Sequence, residues 1–250
     1  MNTFKELSLM SKISLPDFFK FFDANNVNQL EAIVLLESMM PETLLRDQSA
    51  WVLKYREPLP EPEAPPWPLT KEQLGCIMQC SSETLNDALI NDLARCVADC
   101  GMDTLELVYF LGQCGHESCG LRYPVEIHDG SNYEGRSDLG NVNPGDGVKF
   151  AGTGWIQVTG RYNHQSFADA IGDQKVMELG KTYTSEKYPW SISGHWWRTN
   201  NMQALCNSHK ACTNADIDLI GARVNGRNRP NGADDRIAYT DRAYKTLIGV

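Results

Sequence analysis

No apolar run in the sequence is long enough to cross a bilayer, so no membrane span is expected. The first residues, MNTFKELSLMSKISLPDFF, have no extended apolar core and no small-residue cleavage site. No secretory signal is read there, and the expected place of synthesis is a cytoplasm. Positive charge is also in short supply: 23 Lys and Arg stand against 32 Asp and Glu, a net charge of -9. That balance argues against non-specific binding to nucleic acid or to an anionic membrane surface. Eight cysteines are present, but none has Cys-x-x-Cys spacing, which argues against a structural zinc site. No internal repeat is visible. Apolar residues are not scarce: at 42% over 250 residues they can fill one main core beside a smaller unit.

The cysteines leave two readings open. Cys76 and Cys80 are four residues apart, as are Cys96 and Cys100. On helices each pair shares a face, and two such helices set against each other can be bridged. Without an export signal, reduced and buried thiols are the alternative. Cys114 and Cys119 have no evident base for nucleophilic work.

Residues 1–56 read as a small helical unit. Ser14 caps a segment with Pro16 and Asp17 in its first turn, ahead of Phe18, Phe19, Phe21 and Phe22. Two further helices follow, one carrying Leu30, Ile33, Val34 and Leu36, the other opening near Pro41. Residues 57–69 contain EPLPEPEAPPWP, whose prolines block helix and central strand alike, so an extended spacer is expected. From residue 70 to 250 the pattern is mainly helical. Thr70 caps the first helix, and Ser81 or Ser82 caps one carrying Leu85, Leu89, Leu93 and Val97, ended by Gly101. Asp103 and Glu106 have capping-box spacing ahead of a helix with Leu107, Phe110, Leu111 and Cys114 on one face.

That helix delivers Glu117 at its C-terminal end, where the helix dipole and partial burial both disfavour an ionised carboxylate. Such an environment suits a general acid. Glu126 follows nine residues later, then a loop rich in Gly, Asn and Asp, then a polar cluster of Gln157, Thr159 and Asn163. Two carboxylates with groups to hold a sugar and a water are the minimum for glycoside hydrolysis. The rival second carboxylate is Glu134, which Arg136 two residues on is expected to hold as a structural pair. Two other chemistries are excluded by what is missing. His116-Glu117 lacks the second His of a zinc-protease motif, since position 120 is Gly. The glycine runs at 145–147 and 152–154 lack the Gly-Lys-Ser/Thr ending of a phosphate loop.

The segments FLGQCGHESCGLRYPVE, YEGRSDLGNVNPGDGVKFAGTGWIQVTGRYNH and VNGRNRPNGADDRIAYTDRAYKTL resemble glycoside hydrolase family 19, in its phage endolysin branch. The resemblance covers residues 70–250. It implies a mainly α, lysozyme-like catalytic domain of two lobes with a small β element. Carried over position by position, Glu117 is the general acid and Glu126 the second catalytic carboxylate, with Thr159 helping to hold the water. Gln157, Tyr162, Asn163 and Asn225 take sugar contacts, while His116, Arg136 and Arg236 support the site. Two positions depart from the family pattern: Thr153 stands where Gly-Arg-Gly is usual, and Arg227 where a second Gly follows Asn-Gly. No metal or organic cofactor is implied. The implied substrate is peptidoglycan or a related amino-sugar glycan; the alternatives are a chitinase acting on N-acetylglucosamine polymers and a structural virion protein that retains the hydrolase fold. Residues 1–56 are expected to target or dock the enzyme, on other virion proteins if the chain is a virion lysin. The implied place of action is the bacterial cell wall.

Overall fold

A computed structural model describes residues 69–227 and 230–249. The expected N-terminal unit and nearly all of the proline-rich spacer lie outside the described residues. Leu69, assigned to the end of the spacer, is 2% exposed and belongs to the core.

Eleven α-helices make up the described chain: α1 Lys71–Met78, α2 Asp87–Cys100, α3 Thr104–Glu117, α4 Asp146–Lys149, α5 Arg161–Ile171, α6 Lys175–Leu179, α7 Lys181–Lys187, α8 Pro189–Thr199, α9 Met202–Ser208, α10 Asn214–Asn225 and α11 Ala233–Leu247. The expected β element is reduced to two isolated antiparallel bridges, Val125 with Thr153 and Thr153 with Val158. The mainly helical architecture is what the sequence pattern called for, and the lysozyme-like fold is what the family resemblance implied.

Local signals account for most of the early boundaries. Thr70 and Gln73 form a complete capping box at the start of α1. Gly101, at φ +61°, closes α2 in the left-handed conformation. The start of α2 differs from expectation. Ser81 caps only a short 3-10 turn, Ser82–Thr84. Asn86 caps the helix itself, its side-chain oxygen accepting from the Leu89 amide at 2.8 Å. Leu85 therefore stands before the helix, though it is buried. Asp103 caps α3 by accepting from the Glu106 amide at 2.8 Å. The reciprocal half of the box is absent, because Glu106 turns inward to accept from the Trp197 indole at 3.0 Å.

α3 is the central helix. It is buried around most of its circumference from Leu107 to Gly115, not along one face alone. On one side it packs against α1, α9, α10 and α11. The approach to α11 is close enough to require glycine: a Cβ on Gly112 would lie 2.0 Å from Thr240 Oγ1, and one on Gly115 would lie 2.4 Å from the Tyr239 ring. On its other side, Phe110 meets Trp190 and Trp197 of α8, with ring centroids 6.0 and 5.3 Å apart. Such pairs contribute about 0.5–1.5 kcal/mol each beyond area burial. α8 in turn packs on α2, α5 and α7. Asp92 of α2 satisfies the start of α8, accepting from the Trp190 amide at 2.7 Å, the Ser191 amide at 3.2 Å and the Ser191 hydroxyl. The result is two helix groups, with α1, α3 and α9–α11 in one and α2 with α4–α8 in the other.

No disulfide is formed among the described residues. Cys96 and Cys100 are buried, with both sulfurs against Gly194 of α8, while Cys76 is exposed. The two pairs therefore do not meet as facing, bridged helices. Burial within the core is the reading that holds for Cys96 and Cys100.

Candidate active site

Glu117 ends α3, as its sequence position required. Its Oε1 accepts from Arg236 Nη2 at 2.5 Å. Arg236 comes from α11 and is fully buried. A buried guanidinium must spend its donors on fixed partners. Arg236 does so through Nη1 to Gln113 Oε1 at 2.5 Å and Nε to the Asn231 carbonyl at 3.0 Å. Gln113 lies one turn before Glu117 on α3 and so shares its face. The positive charge of Arg236 thus opposes the negative helix end at Glu117 Oε1. Oε2 accepts from no group among the described residues. Asn225, at the end of α10, joins this network by accepting from the Asn231 amide at 3.2 Å.

Glu126 is held differently. Its Oε1 accepts from the Tyr133 hydroxyl at 3.0 Å, and its Oε2 accepts from the Gly152 amide at 3.1 Å. The Glu126 amide donates back to the Gly152 carbonyl at 2.9 Å. Both donors to the carboxylate are neutral, so Glu126 has no bound counter-charge. Burial first, then the neighbouring Glu126, push the Tyr133 phenol above its ordinary range, which keeps it a proton donor. Gly152 lies close against both side chains: a Cβ there would stand 2.9 Å from Gln157 Oε1 and 3.1 Å from Glu126 Oε2, so a larger residue would push on these two polar groups.

The polar cluster after the bridges belongs to the Glu126 side. Gln157 donates through Nε2 to the Tyr123 and Gly154 carbonyls at 3.0 and 3.2 Å, leaving its Oε1 toward Gly152. Thr159 Oγ1 donates to the Gln157 carbonyl at 3.0 Å, so its lone pairs remain able to accept. Asn163 Nδ2 donates to the Thr159 carbonyl at 2.7 Å. Tyr162 is 63% exposed, with its ring against Gly140. Glu117 and Glu126 thus sit in two separate networks, joined by the chain segment between them.

Two expected supports, Arg136 and His116, have other partners. Arg136 is forked on Asp138 at 2.8 and 2.6 Å and half exposed, so it does not hold Glu134. Glu134 instead accepts from the Gly145 and Gly147 amides at 2.6 and 2.8 Å, pinning the start of α4. Backbone donors thus stand where the arginine was expected. His116 pairs with Asp235 at 2.7 Å, tying α3 to α11 instead of touching either catalytic candidate. Sequence reading missed Tyr133, Gly152, Gln113 and Asn231. Of these, Gln113 was findable, since a polar residue four positions before Glu117 must share its face. Nothing in the loop pattern marked Tyr133.

No group of three or more His, Cys, Asp or Glu side chains among the described residues is placed to hold a metal. A cavity of about 670 Å³ lies elsewhere, between α2, α5 and α8, and contains neither carboxylate.

No protein-family model matches the chain. Among solved structures, it is similar to a chitinase C mutant at 18% identity and a TM-score of 0.50, over 72% of this chain and 92% of that one. Chitinase C from Streptomyces griseus aligns at 19% identity and a TM-score of 0.49, over 71% and 91% of the two chains. At that identity, the first match establishes a shared chitinase-like helical fold.

Proposed function

We propose that the protein is a glycoside hydrolase that cuts β-1,4 links of bacterial peptidoglycan with inversion, as a phage-type endolysin or a virion-associated lysin. The observation that carries this reading is the contrast between the two carboxylates. Glu117 faces a buried arginine, and Glu126 has only neutral donors. Glu117 Oε2 carries the proton to the leaving oxygen. The carboxylate this step creates is stabilised on the spot by Arg236, so the acid's conjugate base forms next to a fixed positive charge. Glu126, unpaired in charge, takes a proton from a water that it and Thr159 hold on the opposite sugar face. Inversion calls for carboxyl groups roughly 6.5–9.5 Å apart, with that water between them. The exposed Tyr162 ring and the Asn163 and Asn225 amides provide sugar contacts. The fold shared with a chitinase C supports a glycan substrate. It supports chitin as a second reading, because these residues address the amino-sugar backbone common to both polymers.

The test is Glu117→Gln. The amide oxygen still accepts from Arg236, but the side chain has no proton to give. Lysis of purified sacculi and release from colloidal chitin should both fall by at least about a hundredfold, the scale for losing acid–base assistance. Full activity in a folded variant refutes the assignment, and mass spectrometry of released muropeptides identifies the bond.

A further inference from the structure

A groove of about 600 Å³ runs along the last turns of α10, lined by Asn200, Leu219, Ala222, Arg223, Gly226 and Arg227. It begins one residue from Asn225. Arg223 has neither a hydrogen bond nor an ion pair among the described residues. Arg227 has one long hydrogen bond, 3.4 Å to Asn231 Oδ1. Arg136, Arg161 and Arg236 are matched to carboxylates, whereas Arg95 and Arg122, like Arg223, have no side-chain hydrogen bond or ion pair among the described residues; what sets Arg223 and Arg227 apart is the groove they share beside Asn225. Two guanidinium groups lining one groove repel each other, and the helix dipole favours a cation only within the last turn, by about 0.3–1 kcal/mol. Dipole compensation explains Arg223 but not an unmatched Arg227 beyond the helix. The groove is also connected to the candidate acid. Asn231, which Arg227 touches, binds Asn225 through its amide and Arg236 through its carbonyl, and Arg236 holds Glu117.

We propose that Arg223 and Arg227 form a carboxylate-binding subsite at the edge of the glycan site. It would take acidic groups that peptidoglycan carries and chitin does not. Guanidinium forks match carboxylates with two parallel hydrogen bonds, which gives orientation as well as attraction. In a chain of net charge -9, such a patch is what an anionic glycan needs to approach. This inference rests on the glycoside hydrolase reading for its substrate, so its test is made independent of cleavage.

The Glu117→Gln protein, with and without Arg223→Gln and Arg227→Gln, is sedimented with intact sacculi and with amidase-stripped glycan strands. Binding to N-acetylglucosamine oligomers is measured alongside, as is the thermal midpoint. Loss of the arginines should weaken binding to intact sacculi about tenfold, the scale of two solvent-exposed charge-assisted bonds. It should flatten the salt dependence and leave binding to the neutral oligomer unchanged. A loss confined to intact sacculi assigns the stem-peptide carboxylates. A loss that extends to stripped strands shows that the subsite also takes the lactyl carboxylate, which the amidase frees from its amide link to the stem peptide. Equal weakening on all three ligands, or none on sacculi, overturns the subsite. If the native protein cleaves no glycan while arginine-dependent binding persists, the hydrolase reading fails and the subsite stands.

Discussion

Glu106 carries a pH dependence that can be worked from its surroundings. It sits in the first turn of α3 and is only 3% exposed, with Oε1 accepting from the Trp197 indole and Oε2 buried without a partner. Burial, helped by the nearby Asp103, pushes its carboxyl up from 4.5 to about 7, against smaller opposing effects of Trp197, Gln203 and Arg198. A raised carboxyl binds its proton more tightly in the folded state than in the unfolded one. Folding therefore has no penalty from Glu106 below the unfolded value, and acquires one as pH climbs from 4.5 through 7. A shift of that size corresponds to about 3 kcal/mol, at about 1.36 kcal/mol per unit. Glu106→Gln resembles the protonated acid and keeps the acceptor for Trp197, but it does not titrate. Urea unfolding at pH 4, 6, 7 and 8 should show near-equal stabilities at pH 4. The variant should then gain on the native protein to about 3 kcal/mol at pH 8. Comparing the two proteins cancels every other titrating group. A gap that stays constant with pH, or one that favours the native protein as pH rises, refutes the reasoning.

Three further substitution tests follow from the geometry. Glu126→Gln should cut the hydrolysis rate on the order of a hundredfold with little loss of stability. Glu134→Gln should keep most activity but lower stability by about 1–2 kcal/mol, because one of the amides of Gly145 and Gly147 then faces a donor. Rates and unfolding curves on both variants decide, and reversed kinetic losses would exchange the two roles. Gly112→Ala should destabilise by on the order of 3 kcal/mol, read from denaturant midpoints, since its Cβ would enter Thr240 and force α3 from α11. An unchanged midpoint would mean that the helices separate without cost.

The features legible before folding are those that short-range hydrogen bonding decides. Thr70 with Gln73, Gly101 and Asp103 act on backbone groups within a few residues, and each set its helix end as read. The placement of Glu117 at the end of α3 followed from the same local rules. The start of α2 went to Asn86 instead of Ser81 or Ser82, because capping residues in one short stretch compete and their local preferences are nearly equal. Partner choice was decided by tertiary structure alone. Arg236 reaches Glu117 from 119 residues away, and only the close seam of Gly112 and Gly115 with Thr240 and Tyr239 brings α11 near enough. Tyr133 reaches Glu126 because the loop folds back, while Arg136 takes Asp138 instead of Glu134. A charged side chain pairs with whichever group the packed chain presents within hydrogen-bond distance, and spacing along the sequence does not contain that distance.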